Sequence, residues 1–152
     1  MFKQVERFSD PDLQRRILER TLEVVAEGID RDRIDILGHP TFSALQALGN
    51  PERVYPEEWQ ERLIDLCVKG GIAIDINESY EVPHREFLVR AARAGALFSV
   101  GTDTHFEIKP LAKTEAMIAA AALDRARFMA GSRLAPDSAG GQAAGASSAS
   151  SS

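Results

Sequence analysis

The chain has 152 residues, 44% hydrophobic and 27% charged, with a formal net charge of −5 from 18 basic and 23 acidic residues. That is the composition of a soluble globular protein of about one domain, and its scattered basic residues exclude a general nucleic-acid binder, which needs a basic patch to neutralise phosphates. The single cysteine, Cys67, excludes an intrachain disulfide and reads as a small core residue on a helix.

The opening MFKQVERFSD has no apolar signal-peptide core. No apolar run approaches the ~20 residues that span a bilayer. A cytoplasmic chain with no membrane partner is therefore expected. Ser9 or Asp10 caps a first helix with Pro11 at its first position. Leu13, Ile17, Thr21 and Val24 continue it at helical spacing, and Gly28 supplies a stop. IDIL at 34–37 reads as a short strand, followed by a loop from Pro40 to Tyr55. Pro56 opens a second helix, where Trp59, Leu63, Leu66 and Cys67 mark one face and Gly70-Gly71 end it. IAIDIN at 72–77 is the second strand, and Pro83 opens a third helix that stops at Gly95. LFSV at 97–100 is the third strand. Pro110 precedes an Ala-rich helix to about Ala122, and Asp124 caps a last short one. From Ala135 the residues are small and polar, so 135–152 is expected to be a disordered Ala/Gly/Ser-rich tail.

Strands separated by helices of this length imply parallel pairing. Three such units in a row suggest part of a β/α sheet or barrel. A dinucleotide-binding sheet would carry a glycine-rich loop after its first strand, and GHPTFSALQALG lacks that pattern. Alternation puts Ile34 and Ile36 on one face of the first strand, opposite Asp35 and His39. Ile72, Ile74 and Ile76 oppose Asp75 and Asn77; Phe98 and Val100 oppose Ser99 and Asp103. The greasy faces are expected to meet the helices, and the polar faces to line a lumen or cleft.

Polar groups leave each strand at its C-terminal end, where β/α folds place their sites. His39, between Gly38 and Pro40, reads alone as a turn histidine. Asp103 alone reads as a turn or cap residue, and His105 as a solvated loop residue. Together, just after parallel strands, they are a ligand mixture suited to Zn²⁺, Mn²⁺ or Fe²⁺. Asn77-Glu78 either hydrogen-bonds a substrate or ends its strand. His84, Arg53 and Arg85 read as structural or solvated.

DILGHP (35–40), IAIDINESYEVP (72–83) and AGALFSVGTDTH (94–105) together resemble the C-terminal half of the PHP (polymerase and histidinol phosphatase) superfamily, over roughly residues 8 to 130. The chain looks closer to its histidinol-phosphatase-like phosphoesterases than to its polymerase-attached domains. The resemblance implies three consecutive βα units of a distorted (β/α)7 barrel over residues 1–134. It also implies metal-dependent hydrolysis of a small phosphorylated substrate, with His39, Asp103 and His105 as ligands to different ions of a Zn, Mn or Fe cluster. The family's opening His-x-His strand and its further histidines have no counterpart here, and Asp75 stands where relatives often carry glutamate. The expectation is thus a fragment carrying part of a metal site, completed by an N-terminal half or by a second copy. The alternative is a non-catalytic half-barrel that self-associates through open strand edges. An amidohydrolase-like metalloenzyme ranks below both.

Overall fold

The computed structural model describes residues 8–32, 34–104 and 110–129. The expected tail from residue 135 lies outside them, and so does His105. α1 (Pro11–Asp32) begins where Asp10 Oδ1 accepts from the Asp12 amide at 2.9 Å. Pro11 fills the first helical position, where no donor is lost. β1 (Ile36–Leu37), a 3-10 helix (Ala44–Leu48), α2 (Pro51–Val54) and α3 (Glu57–Gly70) follow. Next come β2 (Ala73–Asn77), α4 (Arg85–Arg93), β3 (Leu97–Gly101), α5 (Ala112–Ala120) and a 3-10 helix at Arg125–Arg127. The three strands form one parallel sheet in the order β1-β2-β3, so the architecture is mixed α/β with an open sheet.

Register decides which side chains meet the helices. Leu37, Ile74 and Phe98 lie side by side, and so do Ile36, Ala73 and Leu97. The first row, with Ile72 and Ile76, joins Leu63, Cys67, Phe87 and Leu88 in a single core. Burial pushes the Cys67 thiol up to about 12, which makes it an inert core group. α1 is tied to α3 by the Trp59 indole, whose Nε1 donates to Leu18 O at 2.8 Å. Outside this contact, Arg62 grips Glu19 through two bonds of 2.8 and 3.0 Å. Gly71 ends α3 in the left-handed conformation, φ 65°, and its amide caps the last carbonyls.

Several expectations need correction. α1 does not stop at Gly28 but runs to Asp32. One interior glycine costs about 1 kcal/mol, and Ile29, packed against the core, carries the buried face past it. β1 is shorter than 34–37, and Ile36 is not on the helix-covered face. Its pairing with Ala73 puts it on the other side, 49% exposed, while Leu37 takes the place beside Ile74. Val100 likewise escapes cover, at 43% exposure. α4 starts at Arg85 rather than Pro83, because Val82 O is taken by the Asn77 amide at 2.8 Å and His84 stays extended. The expected loop 40–55 contains a 3-10 helix and α2, nucleated by Ser43, whose hydroxyl accepts from the Leu45 amide.

Candidate functional site around Asp75, Tyr80 and Asp103

The polar groups of the sheet gather at the C-terminal ends of the strands, centred on β2. All five residues of β2 are buried, Asp75 and Asn77 included. Asp75 Oδ2 accepts from the His39 backbone amide at 3.2 Å and from Asn77 Nδ2 at 3.1 Å. A carboxylate on the central strand thereby fixes the end of β1. Asn77 is committed as well. Its Oδ1 accepts from the amides of Ser79 (3.0 Å) and Tyr80 (3.2 Å), an Asx turn that ends the strand and aims Tyr80. The substrate-binding expectation for Asn77 therefore falls on an amide already engaged in structure.

His39 and Asp103, two of the expected ligands, occupy matching places on the outer strands. Each follows its strand by two residues, and each adopts left-handed backbone, φ 30° at His39 and 46° at Asp103. Non-glycine residues in that region store strain of about 1–3 kcal/mol and concentrate at functional sites. Tyr80 stands between them. Its hydroxyl donates to Asp103 Oδ2 at 2.5 Å, and its ring lies 5.5 Å from the His39 ring at 79°. Phe42 stacks on Tyr80 at 3.7 Å and 17°, and meets His39 edge-on at 5.6 Å and 85°. The bond to Asp103, and then burial, raise the Tyr80 phenol above its ordinary value. His105 lies outside the described residues.

Beside this cluster Glu78 anchors α5. Its carboxylate accepts from the Thr114 amide at 2.8 Å and the Lys113 amide at 3.2 Å, orphan donors at a helix start. The Thr114 amide, outweighing burial, holds the Glu78 carboxyl below its ordinary range. Arg85 is occupied elsewhere, its Nε donating to Ala120 O at 2.9 Å, and Arg53 is exposed. A cleft of about 600 Å³ lies between α3 and α4, away from the strand ends. It is the crevice between two packed helices, and Arg90 already crosses it to Glu57 at 3.2 Å.

Among the described residues, no three His, Cys, Asp or Glu side chains group as ligands of one cation. The His39 ring and the Asp103 carboxylate both border Tyr80, and Asp103 Oδ2 accepts from the Tyr80 hydroxyl; imidazole and carboxylate are donor types that divalent ions take. Sequence reasoning missed Tyr80 altogether and treated Asp75 only as a strand acid. Tyr80 left no periodic signal, because a turn places it. Asp75 was detectable as a carboxylate inside an otherwise apolar strand, which burial forces to find partners. Comparison with protein-family models, with curated proteins and with solved structures gave no match.

Proposed function

We propose that this chain carries part of a metal-dependent phosphoester-hydrolysing site of PHP type, with a small phosphorylated molecule as substrate. One observation carries the reading: His39 and Asp103, just beyond the two outer strands, both turn into strained backbone and meet around Tyr80. In this reading His39, Asp103 and His105 are ligands to Zn, Mn or Fe ions, completed by a complementary polypeptide or a second copy. Such ions supply hydroxide near neutral pH and neutralise phosphoryl oxygens. The chain's own residues do the positioning. Asp75 holds the His39 backbone, Asn77 orients Asp75, and Tyr80 keeps the Asp103 carboxylate in one orientation. The test is elemental analysis of the purified chain after dialysis against trace Zn²⁺ and Mn²⁺. Stoichiometric metal that disappears in Asp103→Ala supports the reading, and a folded wild-type chain without metal overturns completion of the site by a second copy.

A second reading has its own observation. Ile36 and Val100, on the two edge strands, are 49% and 43% exposed. Apolar edge strands invite pairing, so a non-catalytic module that self-associates is the rival. It requires oligomers in sedimentation that persist in Asp103→Ala and bind no metal.

A further inference from the structure

We infer that Phe42 and Tyr80 form a stacking shelf for a planar heteroaromatic ring carried by the substrate. The inference rests on reading the neighbouring site as one that takes a phosphate ester, and adds the part of the substrate that the phosphate is attached to.

Phe42 is out of place as a core residue. Tyr55, Trp59, Phe87 and Phe98 are all buried, whereas Phe42 is 44% exposed. Tyr80 covers one side of its ring at 3.7 Å in near-parallel stacking. The opposite side of the ring lacks that cover. His39 does not cover that side, because it meets both rings nearly at right angles, at their edges. The three rings make a corner: a two-ring slab with an upright imidazole beside it and Asp103 at the Tyr80 hydroxyl.

The slab is held rigid before any ligand arrives. The Phe42 amide donates to His39 O at 2.8 Å, closing the turn that presents the ring. Preceding it, Thr41 is buried, and its carbonyl accepts from the Tyr55 hydroxyl. Tyr80 is fixed at its amide by Asn77 and at its hydroxyl by Asp103. A preorganised aromatic face loses little entropy on binding. A flat π-system is the ligand that extends a parallel stack by one layer, and such stacking discriminates by shape rather than by hydrogen-bond pattern. A nucleobase meets this description.

The test is equilibrium binding by calorimetry to the full chain, using adenosine 5′-monophosphate, adenosine and ribose 5-phosphate as probes. Phe42→Ala is expected to weaken adenosine and its monophosphate roughly tenfold and to leave ribose 5-phosphate unchanged. Phe42→Trp should retain or improve both. Phe42→Leu keeps an apolar cover over Tyr80 without a π face, and should lose affinity like the alanine variant. Equal affinities in wild type and Phe42→Ala overturn the shelf. So does an equal loss for ribose 5-phosphate, or a wild-type chain that binds neither adenosine nor its monophosphate. Adenosine binding that depends on Phe42, with no affinity for ribose 5-phosphate, upholds the shelf and removes the phosphate-ester reading instead.

Discussion

The Asp75 carboxylate occupies the space that a side chain at Gly101 would need. A Cβ built at residue 101 would lie 2.6 Å from Asp75 Oδ1 and 3.1 Å from Oδ2. The glycine is required by a neighbour on the next strand, since its own backbone is ordinary. Gly101→Ala must therefore push a buried carboxylate off its bonds to His39 and Asn77. The expected destabilisation is about 1–3 kcal/mol, as for overpacking. Urea denaturation checks it. In an Asp75→Ala background the same substitution should cost far less, a coupling that a double-mutant cycle reads directly. Additive effects would sink the steric account.

Glu78 makes stability depend on pH. Its folded pKa lies below the ordinary 4.5, so its contribution is full above that value and is lost as pH falls through the folded pKa. Glu78→Gln should melt below wild type at pH 7, with the gap closing under acid conditions. Thermal melts at several pH values decide it, and a gap that stays constant would mean the charge is irrelevant.

The phenols of Tyr80 and Tyr55 are both raised above 10, Tyr80 first by its bond to Asp103 and Tyr55 first by burial. Those are the only two tyrosines in the chain. Phenolate absorbance in the folded protein should thus appear above pH 10, and the stability these groups contribute is kept below 10 and lost as pH rises through their folded values. Asp103→Asn should bring one of the two titrations back towards 10 and leave the other raised. Two unmoved titrations would show that Tyr80 does not hold Asp103 in solution.

Trp59 is the chain's one tryptophan and joins α1 to α3 through Leu18 O. Trp59→Phe keeps most of the volume and removes the indole bond to the Leu18 carbonyl, for about 1 kcal/mol. Trp59→Ala should cost about 3–5 kcal/mol through the cavity. Denaturation followed by circular dichroism measures both. If the phenylalanine variant matches the alanine variant, the hydrogen bond rather than the packing dominates.

The helix-strand alternation and the parallel order were legible because period 3.6 and period 2 are written in apolar spacing, as in α3 with Trp59, Leu63 and Cys67. The face of β1 was not. Two residues are too few to fix a register by pattern, so pairing with Ala73 and Ile74 decides it. Gly28 misled because a local stop signal was weaker than continued burial by Ile29. Within the site, His39 and Asp103 could be named from strand-end position alone. Tyr80 could not, because an Asx turn built by Asn77 swings it into place. The Asp75–Gly101 fit is likewise a property of two strands side by side, visible only once they are paired.

The bond from the His39 amide to Asp75 has a spectroscopic consequence. Beyond the end of β1, this amide's acceptor is an ionisable side chain rather than a strand carbonyl. Its proton chemical shift and its solvent exchange rate therefore register the charge and orientation of the central carboxylate. A single backbone resonance reports on whether β1 and β2 are correctly joined, and any ligand that draws on Asp75 must announce itself there. The protein carries its own indicator at the middle of the site, readable without a label and without an assay for turnover.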